Sequence, residues 1–123
     1  MIVLDEQINN VKILAAFEHW YPGTVCYVTD LRPGTHILDE EIGKLLLEMK
    51  QPTLVTINHK DFWKKIPAHK GYCILCLKLS IERSPEVPAI TRQLLRHPDF
   101  AMKKKRMGKV VSWSDGVIDY YEC

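Results

Sequence analysis

The chain has 123 residues, 46% hydrophobic and 26% charged, with 17 Lys plus Arg against 15 Asp plus Glu for a net charge of +2. That length and apolar content suffice for a single domain over residues 1–123 with its own core. The near balance of charge neither demands nor excludes a nucleic-acid partner. No apolar run approaches a membrane span, and the N-terminus opens on a strand without a signal-peptide pattern, so a cytoplasmic protein with no membrane partner is expected. Cys26, Cys73, Cys76 and Cys123 are too few and scattered for a disulfide framework.

Ile2 to Leu4 predicts a first strand. Ile8, Val11, Leu14 and Ala15 then recur at helical spacing, Phe17 and Trp20 widen the apolar face, and Pro22-Gly23 ends the helix. Val25 to Thr29 is β-rich and predicts a second strand, followed by turn chemistry from Asp30 to Thr35 around Pro33-Gly34. The clearest helix starts at Asp39 as N-cap, with Glu40 and Glu41 in the first turn where carboxylates meet the positive end of the dipole. Ile42, Leu45, Leu46 and Met49 form its apolar stripe, Lys50 falls in its last turn and Gln51-Pro52 stops it.

Thr53 to Ile57 is a short, β-branched apolar run and predicts a buried parallel strand, leading into a polar loop of Asn58, His59, Lys60 and Asp61 and a helical turn around Phe62 to Ile66. Tyr72 to Leu79 predicts another buried strand, and Pro88 suits the first position of a helix from about Ala89 to Arg96. Asp99 to Met107 is irregular or weakly helical and holds the basic run Lys103 to Arg106. Lys109 to Trp113 and Val117 to Tyr121, joined by Ser114-Asp115-Gly116, predict a β-hairpin. This order predicts an α/β domain: a mostly parallel sheet with right-handed crossovers, helices on both faces and a C-terminal hairpin.

In open α/β sheets chemistry sits beyond the carboxyl ends of the strands, which directs attention to Asp5-Glu6 and to Asn58 to Asp61. Carboxylates converging there suit a hard divalent cation, Mg²⁺ or Mn²⁺, able to activate water against a phosphodiester. Asp5, Asp61 and one or more of Asp39, Glu40 and Glu41 are the candidates; each also reads as a helix cap or a complement to a helix dipole. Cys73 and Cys76 have CxxC spacing, but a strand sends the two thiols to opposite faces, so buried cysteines are the better reading. His59 reads as an exposed loop residue. Trp63 beside Lys64 and Lys65 reads either as a base-stacking platform or as a core anchor, and Lys103 to Arg106 as a solvated face or a phosphate contact.

Three motifs in order resemble the small bacterial PIN-like proteins of Mut7-C or toxin-like type. They are Leu4-Asp5-Glu6-Gln7 at the end of the first strand, Asp39-Glu40-Glu41-Ile42 at a helix start, and Thr56 to Phe62 at the end of the third strand. The resemblance spans roughly residues 1–80 and implies a PIN-like fold and a Mg²⁺- or Mn²⁺-dependent endoribonuclease, often the toxin of a toxin–antitoxin pair. It implies an RNA substrate, a small antitoxin partner, catalytic Asp5, Asp39, Glu41 and Asp61, and a metal held by Asp5, Asp39, Asn58 and Asp61. One position departs: the first Asp of the third motif falls on Asn58 or, read without an insertion, on His59. Asn keeps an oxygen donor without its charge, and His offers a nitrogen that Mg²⁺ takes poorly. A catalytically degenerate scaffold that binds RNA or a protein without cleavage is the alternative. The oligomeric state stays open, with a homodimer among the options.

Overall fold

The computed structural model describes residues 1–34 and 37–123, and of Asp39 the backbone; Thr35 and His36 lie outside the described residues. Strands β1 (Ile2–Leu4), β2 (Val25–Tyr27), β3 (Thr53–Thr56), β4 (Cys73–Leu77), β5 (Lys109–Ser114) and β6 (Val117–Glu122) form one sheet in the order β2-β1-β3-β4-β5-β6. Every pairing is parallel except β5 with β6. The α/β class, the mostly parallel sheet and the C-terminal hairpin are thus as expected.

Alternation along the strands sends side chains to two faces. Ile2, Leu4, Val55, Leu75, Leu77 and Val111 pack against α1 (Val11–Trp20) and α5 (Val87–Leu94) through Ile13, Phe17, Ile90 and Leu94. Val3, Leu54, Ile74, Cys76 and Val110 face the other way, against α2 (Val28–Leu31), α3 (Ile42–Leu47) and α4 (His59–Phe62). Cys73 belongs to the first cluster and Cys76 to the second, as the strand reading of CxxC requires. Burial pushes both thiols up to about 12, which keeps them protonated at neutral pH.

The crossovers do not all share one hand. β1 to β2 steps one way across the sheet and β4 to β5 the other, yet α1 and α5 lie on the same face. The last crossover therefore has the opposite hand to the three before it, which corrects the expectation of uniformly right-handed connections. The reason lies in coverage. A 3-10 segment, Ile81–Glu86, carries the chain back to the turn Glu6–Ile8 after β1, and α5 comes down beside α1 over Leu75, Leu77 and Val55. α1 and α5 are the two longer helices over that face.

Several local expectations shift for identifiable reasons. The first helix begins later than its spacing suggests: Asn10 Oδ1 accepts the Lys12 N–H at 2.8 Å as N-cap, and Val11 points outward at 72% exposure. Val28 and Thr29 are helical rather than β, because Asp30 Oδ2 accepts the Tyr27 N–H at 3.0 Å and starts a turn of helix that buries Val28. The α3 cap position is Glu41, with no side-chain cap bond; Asp39 opens a 3-10 turn, Asp39–Glu41, ahead of it. Met49 and Lys50 lie beyond α3, which ends at Leu47. Asn58 to Asp61 is not a loop, because His59 to Asp61 belong to α4, pinned by fully buried Phe62. In the hairpin turn Asp115 and Gly116 both take positive φ, +47° and +86°, the conformation a tight two-residue connection needs.

The basic run resolves into two roles. Lys103 to Lys105 are exposed on α6 (Lys103–Arg106), whereas Arg106 is 6% exposed. Its Nε donates to Thr53 Oγ1 at 3.0 Å and an Nη to the Phe100 carbonyl at 2.9 Å, at the amino end of β3. Arg106 is a structural brace at the end of the sheet opposite Asp5.

Candidate functional site at the carboxyl edge of the sheet

The strand order reverses direction at β1, since β2 lies on one side of it and β3 on the other. The crevice beyond the carboxyl ends of β1 and β3 is a topological switch point, where open α/β sheets bind ligands. Asp5 follows β1 there and is 4% exposed. Its N–H donates to the Val55 carbonyl at 3.0 Å, and its Oδ2 accepts the Thr56 hydroxyl at 2.9 Å. Thr56 Oγ1 in turn accepts the Asn58 N–H at 2.9 Å, and Asn58 Nδ2 donates to Asp61 Oδ2 at 3.1 Å. Two carboxylates from distant motifs are thereby joined by a continuous chain of hydrogen bonds, Asp5–Thr56–Asn58–Asp61.

That chain stands at one end of a polar row. In register across the sheet, Thr56 lies beside Cys76, Cys76 beside Ser112 and Ser112 beside Asp119. Thr56 is two residues on from Leu54, and Ser112 two on from Val110, so the row points to the α3–α4 face. His59 reaches from α4 to this row, its Nε2 2.8 Å from Ser112 Oγ, with Ser112 only 7% exposed. Burial, and then the nearby Lys78 charge, lower the His59 pKa below its usual range and favour the neutral ring. His59 is therefore a partly buried helix-to-sheet contact, not the exposed loop residue expected. Trp63 follows it, half-buried, with its ring 5.8 Å from His59 and 5.1 Å from Tyr121, and packs against the second core cluster as an anchor.

The remaining expected site residues are placed differently. Glu41 accepts from Arg32 Nη1 at 3.0 Å in a half-exposed ion pair. Asp39 begins the 3-10 turn that leads into α3, and its side chain lies outside the described residues. Among the described residues no three His, Cys, Asp or Glu side chains gather as a metal-binding group. Thr56 and Ser112 had no role assigned from sequence. The signal for Thr56 was its alternation with Val55 at the end of a buried strand, whereas nothing in sequence places Ser112 opposite His59.

Comparisons with protein-family models, with characterised proteins and with solved structures find no significant match.

Proposed function

We propose that this chain is a PIN-like, divalent-metal-dependent ribonuclease with its site at the carboxyl ends of β1 and β3. The observation that carries the reading is Asp5, a nearly buried carboxylate at the switch point, linked through Thr56 and Asn58 to Asp61. Buried carboxylates are rare unless partnered, and a crevice at a switch point is where such groups serve a ligand. Asp5, Asn58 and Asp61 offer oxygen donors, which fits Mg²⁺ or Mn²⁺ better than a softer ion. The resemblance adds Asp39 to the set. When bound, such an ion lowers the pKa of its water and neutralises charge on a phosphodiester. The protein's own part is positional: Thr56 fixes Asp5, the Asn58 amide fixes Asp61, and Lys60, Lys64 and Lys65, in and just after α4, attract the RNA backbone. The resemblance alone supports the further reading of a cytoplasmic toxin held by a small antitoxin.

A second reading has its own support. Glu41 is engaged by Arg32 and the neutral Asn58 stands where an acid is expected, which favours a degenerate scaffold that binds RNA or a protein without cutting. Incubating an RNA pool with the wild-type chain and with Asp5→Asn, in Mn²⁺ or in EDTA, separates the two. The ribonuclease reading expects cleavage that needs both the metal and Asp5. Retention of RNA without cleavage by a folded wild type would replace it with the scaffold.

A further inference from the structure

We propose that the cleft between α3 and residues 65–72 is a binding site for a small organic anion with an apolar body, such as an alkyl or aryl carboxylate. Two cavities of about 380 and 480 Å³ share Lys65, Ile66 and Pro67 in their walls, and each falls within the size range of small-molecule sites. The smaller is walled by Leu47, Ile66, Ala68 and Tyr72, and Leu47, 45% exposed, turns its apolar surface to the opening.

A glycine in the wall keeps this cleft open, and a second one adjoins it. A Cβ at Gly43 would stand 3.4 Å from Tyr72 Oη and 3.9 Å from Ile66 Cγ2, so any longer side chain there grows into the space. A Cβ at Gly71 would come within 2.7 Å of Leu47 Cδ2, so a side chain at residue 71 would press on Leu47 at the mouth of the cleft.

The charge of the rim selects the ligand. Lys44, Lys65 and His69 border the smaller cavity against a single carboxylate, Glu40, and Lys64 joins Lys65 at the larger one. His69 stacks on Tyr72, and its Nδ1 accepts the Gly71 N–H at 2.9 Å, so the neutral ring carries its proton on Nε2 and remains a donor. Apolar walls under an excess of cationic donors complement one anionic head on an apolar body. The occupant is a small molecule because cavities of about 380 and 480 Å³ match the space such ligands fill.

The test uses a matched pair of probes, 2-naphthoate and its neutral analogue 2-naphthamide, titrated into the full chain and followed by amide chemical shifts. Naphthoate should bind saturably with shifts centred on Gly43, Leu47 and His69, and the amide should bind about tenfold more weakly or worse. Lys44→Ala/Lys65→Ala, at exposed positions that leave the core intact, should weaken naphthoate by a similar factor, and Gly43→Leu should fill the cleft and abolish binding. The proposal is overturned if naphthoate causes no saturable shift, if the amide binds equally well, or if the lysine variant retains full affinity. It is also overturned if an RNA oligonucleotide shifts these residues while naphthoate does not.

Discussion

The Thr56 hydroxyl works in two directions at once, donating to Asp5 Oδ2 and accepting the Asn58 N–H, in a position fully removed from water. Deleting it removes one hydrogen bond from a buried carboxylate and one from a backbone N–H, so Thr56→Val should cost about 1–3 kcal/mol although valine fills the same volume. Thr56→Ser keeps the hydroxyl and should cost less, about the 0.8 kcal/mol of one buried methyl group. Urea unfolding midpoints check this, and equal midpoints for Thr56→Val and wild type would show that the bonds add nothing. His59 adds a pH signature. Its pKa is lowered in the folded chain, chiefly by burial and then by Lys78, while the unfolded ring titrates near 6.5. Below 6.5 the unfolded chain takes up a proton that the folded chain resists. This contribution is therefore complete above pH 6.5 and is lost as pH falls through the lowered folded value. Melting temperatures from about pH 8 to about pH 5 should decline in wild type and decline less in His59→Asn, whereas parallel curves would contradict the assignment.

At the scale of elements, β6 is an edge strand that leaves Val117, Ile118 and Tyr120 exposed, a surface that invites pairing with another chain. The Cys123 N–H bonds to the Gly108 carbonyl, and alternation along the ladder then turns the Tyr120 N–H away from β5. Asp119 Oδ1 accepts that N–H at 2.8 Å, so an outward donor is already occupied and a charge guards the edge. Asp119→Ala should raise concentration-dependent association in sedimentation or light scattering; no change from wild type would mean the edge is protected otherwise. β1, β3, β4 and the hairpin were legible in sequence because each is marked locally, by an apolar run or by Asp-Gly. α4 was not, since Asn58-His59-Lys60-Asp61 is polar throughout and only the burial of Phe62 makes it a helix. β2 ended early for the same kind of reason: the Asp30 carboxylate overrides the β preference of Val28 and Thr29.

Across the whole molecule, two helix layers bury the sheet from both sides, and the four thiols report on that burial. Cys73 and Cys76 lie in opposite clusters with their thiols pushed up to about 12, Cys26 is half-buried, and Cys123 is exposed. A thiol reagent should modify Cys123 promptly and Cys26 more slowly, since burial and then Asp30 raise its pKa, and should reach Cys73 and Cys76 only as the chain unfolds. Rapid modification of all four would contradict the layered core. The layering was implied by the order of elements, but the face taken by α5 was not. That choice depends on which side of the sheet still lacks cover, and no local pattern records it. The candidate site divides in the same way. Asp5 stands at the strand end where its motif puts it and Asp61 lies within α4 instead of the expected loop, while their joining through Thr56 and Asn58, and the meeting of Ser112 with His59, follow from pairing between distant strands.

The claim on which the functional reading rests is that the Asp5–Thr56–Asn58–Asp61 chain holds a divalent cation. Titrating Mn²⁺ against the protein and counting free Mn²⁺ by electron paramagnetic resonance tests it without any assumption about substrate. One saturable site in wild type, displaced by Mg²⁺ and lost in Asp5→Asn, is the predicted result. Absence of saturable binding in the folded protein, or a site of unchanged affinity in Asp5→Asn, would contradict the account.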